Sequence, residues 1–420
     1  MNSKQANATL LSIGDELLLG EIVDTNKPYI AQALLPLGIK VAAMETTGDE
    51  LHEIVAAFGR ALDRAQIVIA TGGLGPTDDD LTLEALGIAL HVELEYRQEV
   101  MDQMAARLNR PAASFSSSNR KQAMLPKGSN ILRNNWGTAP GVHFPTRDGK
   151  HIFLMPGVPR EMKGILREHI VPWLASNFSS GQKIVIKKLH VFGIPESTLG
   201  ERIKPLMQAG HNPDVGTRVG GGVVTVRLVA RAPSEAEAQA LMAPALQKVR
   251  EALSEGIFGE DEDTLSHAAL GALLTHKKSV AIAESCTAGL VSAMLTDIPG
   301  ASGALLEGAV VYSNEAKIRT CGVKAETLAR HGAVSAQCAE ELAQGIRVRA
   351  GADIGLSVTG IAGPGGGSES KPVGLVYFGI ATEKSVTAIE KNYSGLDRAS
   401  LRERAGMQAL DLLRRAAKNE

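Results

Sequence analysis

The sequence predicts an α/β protein of several domains, on three observations. Strand-like apolar runs and helical patterns alternate over residues 9–170 and again over 265–420, as βαβ units around a mostly parallel sheet require. Residues 171–260 instead carry long alternating strands with two helical stretches, the pattern of a small α+β domain. The chain has 420 residues, 44% hydrophobic and 21% charged, which suits about two to four globular domains. The expected division is 1–170, 171–260 and 261–420, with the short acidic segment Gly256–Thr264 as the second linker.

In the first segment, Thr9–Ile13 reads as a buried strand, Asn26–Leu35 as a helix, Lys40–Thr46 as a strand, Leu51–Asp63 as a helix and Gln66–Ala70 as a strand. Helical patterns continue at Leu81–Leu90 and Glu95–Leu108. His151–Met155 is a short apolar strand before a helix from Arg160. In the middle segment, Gln182–Phe192 and Val223–Ala230 alternate as strands. Glu196–Gln208 and Ser234–Leu253 read as helices, the second with a Ser-x-x-Glu-like start. In the last segment, a helix at Leu265–His276 leads to the apolar run ending at Ala283. Glu307–Val311 and Ile354–Val358 are strands, Val373–Thr382 and Val386–Tyr393 suggest a hairpin, and a terminal helix starts at Arg398.

Composition closes off several functions. A net charge of −2 argues against a protein built to grip nucleic acid backbones. Aromatic residues make up only 4%, so stacking platforms for bases are not expected. No apolar run is long enough to span a membrane, and the N-terminus lacks the basic and apolar regions of a signal peptide. The three cysteines form no CxxC pair and suit a reducing cytoplasm, and the histidines form no HxxH or HExxH pattern for zinc. Neither nucleic acid nor membrane is expected as a partner.

Two loops carry the chemistry of the first segment. Ile67–Leu83, IVIATGGLGPTDDDLTL, runs from a buried strand into a loop rich in glycine, threonine and aspartate. Gly72, Gly73 and Gly75 let the backbone approach a ligand and offer N–H donors to phosphate, and Thr71 and Thr77 add hydroxyls. Asp78, Asp79 and Asp80 supply hard oxygen ligands for a divalent cation. Phosphate and carboxylates repel unless a metal lies between them, so the loop points to metal-assisted chemistry on a phosphorylated ligand. The second loop, IGDELLLGEIVDTN, places Asp15, Glu16, Asp24 and Asn26 at or beyond the carboxyl end of the first strand. They either face the Asp78–Asp80 loop or form a solvated surface.

In the last segment, SVAIAESCTAGLVSAML joins a strand to a helix through a polar turn that holds Ser285. A serine there is either a helix N-cap or a nucleophile beside backbone N–H groups that favour negative charge.

These motifs support a resemblance. TGGLGPTDDDLT is similar to the signature of the molybdopterin-binding-like domain of molybdenum cofactor biosynthesis proteins. IGDELLLGEIVDTN, NRKQAMLP, GTAPG and MPGVPREM narrow it to the N-terminal half of the CinA family. The Ser285 segment, VVYSNEAKIRTCG, SVTGIAGPGGGSESKPVG and DRASLRERA match its C-terminal domain, so the resemblance spans nearly the whole chain. It implies a three-layer molybdopterin-binding-like domain over 1–170, a KH-like α+β domain over 171–260 and an α/β amidase domain over 261–420. For the first domain it implies a metal-dependent ADP-ribose pyrophosphatase, with Thr71, Gly72, Gly73, Gly75 and Thr77 on phosphate. Asp80, Asp79, Asp24 and Asp15 would then hold Mg²⁺, Mn²⁺ or Co²⁺. The middle domain's glycine turn, RVGGG at Arg218–Gly222, reads as structural rather than as an RNA clamp.

For the last domain the resemblance implies an amidase of nicotinamide mononucleotide that needs no cofactor, with Ser285 as nucleophile. None of its three motifs contains histidine, so a serine–lysine pair is expected over a Ser–His–Asp triad. Lys317 either approaches Ser285 as a neutral base or is an ordinary helix-surface lysine. Tyr312 either hydrogen-bonds the pair or the substrate or packs at a strand end, and Thr359 adds a hydrogen bond to substrate. The N–H groups of Ser285 and Cys286 are expected to stabilise the oxyanion. Glu284 is expected either to fix the turn or to contact substrate, Thr287, Gly289 and Gly360 are expected near substrate, and Arg398 or Arg402 on the 5′-phosphate. The family commonly has CTGG where this chain has CTAG, and Ala288 is expected to be helical and harmless. A homodimer in the cytoplasm is expected. The alternative function is a pterin- or nucleotide-binding regulatory protein whose catalysis is degenerate.

Overall fold

Strand β1 (Asn7–Ile13) lies inside the first sheet because its side chains alternate between two apolar layers. Ala8 and Leu10 join one layer, with Ile67, Ile69, Phe153 and Met155. Leu11 and Ile13 join the other, with Val68, Ala70, Ile152 and Leu154. The computed structural model describes residues 6–111, 114–178, 182–208 and 210–418. The chain divides into two compact units, Met1–Ile186 with Ala230–Leu241, and Lys187–Val229 with Met242–Glu420.

The remaining strands of the first unit's main sheet are β2 (Lys40–Thr47), β3 (Ile67–Thr71), β6 (Asn130–Leu132), β7 (Gly141–Pro145) and β8 (His151–Met155). They run in the order β2-β1-β3-β8-β7-β6, parallel from β2 to β8 and antiparallel thereafter. Helices cover both faces, which makes the three layers expected of this segment. Leu51–Arg64 and Thr82–Leu90 pack on one face; Asn26–Leu34 and the helical run from Pro159 to Asn177 pack on the other.

One expected helix is shorter than its pattern. Leu94–Tyr96 is extended as β4 and pairs with β5 (Met124–Pro126), and the helix starts only at Gln98. Partners 30 residues away in sequence made this choice, so the local helical pattern did not reveal it.

The middle segment forms an antiparallel sheet ordered β10-β11-β9-β12, with β9 at Lys183–Val191, β10 at Asp214–Gly220, β11 at Val223–Ala232 and β12 at Ile257–Glu260. Its glycine turn is the β10–β11 hairpin turn: Gly221 and Gly222 both have positive φ, and Arg404 of the terminal helix bonds Gly222 O.

The C-terminal sheet runs β14-β13-β15-β16-β17. Strands β13 (Val280–Glu284), β14 (Leu305–Val310) and β15 (Ile354–Gly360) are parallel; β16 (Leu375–Ala381) and β17 (Val386–Asn392) continue antiparallel as the expected hairpin. Helices Leu265–Thr275, Leu290–Thr296 and Arg398–Lys418 cover one face, and Ala336–Ala350 covers the other. No helix among the described residues is long and apolar enough to cross a membrane.

Adjacent strands β7 and β8 bring His143 and His151 together, with Nε2 of one 3.1 Å from Nδ1 of the other. Phe153 stacks on His143, and Trp173 packs on both imidazoles. Burial, then the neighbouring His151, pushes His143 down to about 4 from the ordinary 6.5. Both rings are neutral when folded at neutral pH, whereas the unfolded chain protonates them below about pH 6.5. Stability of the first unit is therefore full above that value and falls as the pH drops toward 4. We expect a loss on the order of 2 kcal/mol between about pH 7 and about pH 4.5, read by denaturant unfolding with Trp173 fluorescence. His143→Phe should flatten that slope, and an unchanged slope would remove His143 as its cause.

Candidate functional site

Two groups of predicted residues lie at the carboxyl ends of parallel strands, one in each unit.

In the second unit, β13 ends in a turn, Ser285–Gly289, before the helix Leu290–Thr296. Glu284 holds this turn. Its fully buried carboxylate accepts from the N–H groups of Gly289 (2.9 Å), Val291 (3.0 Å) and Ser292 (2.8 Å), and from the Ser292 hydroxyl (2.7 Å). A carboxylate placed on the first N–H groups of a helix meets both unsatisfied donors and the positive end of the dipole. Arg402 clamps the other side, donating to Cys286 O (3.1 Å) and Thr287 O (2.8 Å). Of its two expected roles Glu284 takes the first, fixing the turn, and Arg402, expected on the 5′-phosphate, donates to the backbone that carries Ser285.

Ala288 corrects an expectation. Its φ is +51°, in the left-handed region and not the helical one. An L-residue there costs about 1 kcal/mol relative to glycine. Gly289, at φ +93°, completes the reversal.

Lys317 reaches the turn from the helix Asn314–Cys321, whose N-cap is Ser313. It is 1% exposed, and its Nζ lies 3.1 Å from Ser285 Oγ, 2.8 Å from Val311 O and 3.0 Å from Tyr312 O. No carboxylate lies within ion-pair distance of it among the described residues. The titratable groups that act on it are the thiols of Cys338, Cys286 and Cys321, which burial pushes up to about 11 and keeps neutral, and then the exposed Glu315 carboxylate. Burial therefore lowers Lys317 from its ordinary value.

The donor arithmetic is restrictive. Two carbonyls can only accept, so they take two N–H groups of Lys317. The third position faces Ser285, either as N–H or, once the proton is lost, as a lone pair directed at the hydroxyl.

The other predicted residues sort as follows. The Ser285 N–H is donated to Val358 O (2.9 Å), so it is not available to an oxyanion; the N–H groups of Cys286 and Thr287 meet no backbone carbonyl among the described residues. The Thr287 hydroxyl is buried without a partner. Thr359 is fully buried and its hydroxyl donates to Ala333 O (2.8 Å), so it fastens a loop. Gly360 is needed for close packing, since a Cβ there would sit 2.8 Å from Leu375 O. Tyr312 is 59% exposed and its hydroxyl meets Arg398 Nη2 at 3.2 Å. Arg398 also donates to Gly363 O (2.7 Å), which tethers the glycine-rich loop.

In the first unit, the predicted Asp24, Thr71, Gly72, Gly73, Gly75, Asp79 and Asp80 line a pocket of about 550 Å³, whereas Thr77 and Asp15 are not part of its lining. The loop after β3 approaches the backbone closely: a Cβ on Gly72 would meet Ile13 O at 2.1 Å, and one on Gly73 would meet the Thr82 hydroxyl at 2.2 Å. The aspartates are less available than their spacing suggests. Asp80 accepts from the N–H groups of Gly75 (2.7 Å) and Thr77 (2.8 Å) and from the Thr77 hydroxyl, so both residues lock the loop. Asp24 accepts from the Ser12 hydroxyl (2.7 Å) and the Asn26 N–H (2.9 Å) and pairs with Lys27 (3.1 Å). Burial opposes its ionisation, but these partners outweigh burial and hold it below the usual carboxylate range. Asp15 and Asp49 exchange backbone-to-carboxylate bonds. Among the described residues no three His, Cys, Asp or Glu side chains gather as a metal-holding group.

Sequence reading missed Asp49, Gln122 and Glu161 in this pocket. Gln122 donates to Leu74 O (3.0 Å), and Glu161 accepts from Asn134 (2.6 Å). Burial, with the carboxylates of Asp15, Glu16 and Asp79 nearby, raises Asp49 above the usual range despite the Asp15 N–H it accepts. Gln122 and Glu161 lie inside motifs already quoted; nothing local marks Asp49.

Comparison with known proteins agrees with the motifs. Residues 9–176 match the family profile described as a probable molybdopterin binding domain, 186–259 that of the damage-inducible protein CinA KH domain, and 262–417 that of the CinA C-terminal domain. A Clostridium acetobutylicum protein whose name refers to competence-damage induction is 42% identical over 407 residues, covering 97% of this chain and 98% of that protein. A CinA-like protein of Kosmotoga olearia is 40% identical, with 97% and 98% covered. The crystal structure of a competence/damage inducible protein from Agrobacterium tumefaciens is 39% identical and covers 37% of this chain and 94% of its own, with a TM-score of 0.36.

The turn around Ser285 gives a paired expectation. Glu284→Ala strands several buried donors and should destabilise the second unit by about 2–4 kcal/mol. Ala288→Gly relieves the positive φ and should stabilise it by about 0.5–1 kcal/mol. Denaturant unfolding of each variant against wild type checks both signs.

Proposed function

The chain belongs to the CinA family, and from that premise we propose that its C-terminal domain hydrolyses the carboxamide of nicotinamide mononucleotide to nicotinic acid mononucleotide and ammonia. The observation that carries this reading is the 3.1 Å contact between buried Lys317 Nζ and Ser285 Oγ. Neutral Lys317 takes the hydroxyl proton as Ser285 Oγ bonds to the amide carbon, and the carbonyl electron pair moves onto oxygen. The N–H groups of Cys286 and Thr287 supply donors for that oxyanion. Collapse breaks the C–N bond, and the leaving nitrogen takes the proton back from Lys317 and departs as ammonia. A water that gives its proton to Lys317 then attacks the acyl-serine carbon, the C–Oγ bond breaks as nicotinic acid mononucleotide is released, and Lys317 returns the proton to Ser285 Oγ.

In the first unit, the pocket suits a phosphorylated nucleotide, with ADP-ribose the substrate the family resemblance implies. The close-packed glycine backbone at Gly72 and Gly73 supports this reading, and the dispersed aspartates assign no metal to it.

Two outcomes follow. Ser285→Ala and Lys317→Met should each lower ammonia release from nicotinamide mononucleotide by at least about 10³-fold. The wild-type rate should rise with pH through a lysine ionisation below its ordinary 10.5, because only the neutral amine accepts the proton. Wild-type release no greater than that of Ser285→Ala would favour the nucleotide-binding regulatory reading. Separately, Gly72→Val drives a side chain into Ile13 O and should weaken ADP-ribose binding by at least about tenfold in calorimetry, with ammonia release unchanged. AMP formation with and without Mg²⁺, Mn²⁺ or Co²⁺ reports whether hydrolysis follows binding.

A further inference from the structure

A third surface of the first unit joins aromatic rings, which the overall composition keeps scarce, with three exposed cations. Arg160, Lys163 and Arg167 follow one another along the helical run that begins at Pro159, spaced three and four residues apart. That spacing sets all three on one face over about 10 Å. All three side chains are exposed, and none makes an ion pair among the described residues. The acidic residues of the same run are engaged elsewhere: Glu161 with Asn134, Glu168 with Asn135.

Two rings flank this row. Tyr29 lies beneath Lys163, whose Nζ is 4.9 Å from the ring centroid. Trp136 rests on the helix at Gly164, where a Cβ would come within 2.1 Å of the indole. Glycine at 164 is therefore what lets the indole lie against the helix. Together these six residues line an open surface pocket of about 410 Å³, within the usual range of small-molecule sites of about 300–1,000 Å³. It is lined by residues distinct from those of the 550 Å³ pocket.

We propose that this pocket is a binding site for a nucleoside polyphosphate, with the base against Trp136 and Tyr29 and the phosphates along Arg160, Lys163 and Arg167. Guanidinium groups bind phosphate oxygens in pairs and lysine adds a point charge, while an indole face accepts any base. A purely aromatic ligand would leave three cations unused, and a simple anion would leave two rings unused. A small ligand is favoured over an extended strand because the cations stop within one short helical face.

The test uses the full-length protein with ATP as probe, followed by calorimetry and tryptophan fluorescence. Saturable binding with quenching is expected. The triple variant Arg160→Gln, Lys163→Gln, Arg167→Gln should weaken it by at least about tenfold, and Trp136→Leu should weaken it and abolish the quench. Tripolyphosphate and adenosine should each compete, both more weakly than ATP. The triple variant changes only exposed side chains, so it decides the matter even where Trp136→Leu impairs folding. ATP binding that is absent, or that the triple variant leaves within about twofold, overturns the proposal. So does an oligonucleotide that binds through the same cations when ATP does not. Failure of the ADP-ribose reading would not affect this result, since Gly72→Val leaves these six residues untouched.

Discussion

An ammonium group buried without a carboxylate partner carries a desolvation penalty of several kcal/mol, and Lys317 sits in that position at the centre of the C-terminal domain. Two backbone carbonyls and one serine hydroxyl surround its Nζ, and the other titratable groups acting on it are three neutral thiols and, more weakly, the exposed Glu315 carboxylate. Such a setting makes loss of the proton easier than in water. The same contacts then direct the lone pair, because the carbonyls retain the two hydrogens. The neighbouring structure serves to keep Ser285 at that third position. Glu284 ties the turn to the following helix, Arg402 ties it to the terminal helix, and the Ser285 N–H ties it to β15. Three independent anchors on one five-residue turn give the nucleophile little freedom, as pre-organised catalysis requires.

The two units solve a similar problem with similar means. Each has central parallel strands that deliver a polar loop at their carboxyl ends, where open α/β sheets place their sites. In each, an acidic side chain turns back onto backbone N–H groups of its own loop: Glu284 in one, Asp80 in the other. These bonds join residues three to eight positions apart in sequence. A carboxylate used this way fixes the shape of a site and is not a ligand in it. Ala288 shows the cost of such a shape, since the reversal needs two successive residues at positive φ and this chain supplies glycine only at the second.

Much of the architecture was legible from periodicity. The strands named in the first and last segments, the terminal helix and the final hairpin follow from runs of apolar residues at strand or helix spacing. The helices Asn314–Cys321, Ala325–His331 and Ala336–Ala350 were not read from that pattern. Other exceptions were elements whose identity depends on a distant partner. Tyr96 became extended because β5 pairs with it, and β6 and β7 are short strands defined by each other. In the sites, Ser285 and Lys317 were visible as residue types in the right motifs, and they do meet. Thr359, Arg402 and Asp80 were visible too, but their partners were not. A threonine directed at Ala333 O, an arginine clasping two carbonyls and an aspartate capping its own loop have the same sequence appearance as groups turned toward a ligand.

The sequence by itself determined what is local: the α/β class, the glycine-rich and serine-bearing loops at strand ends, and the family to which those loops belong. Tertiary structure alone decided which polar groups remain available for chemistry. That choice depends on hydrogen-bond partners 30 to more than 100 residues apart, as with Lys317 on Ser285 and Arg402 on Cys286. Spacing along the chain records which donors and acceptors a site contains, whereas burial and packing determine which of them are already satisfied.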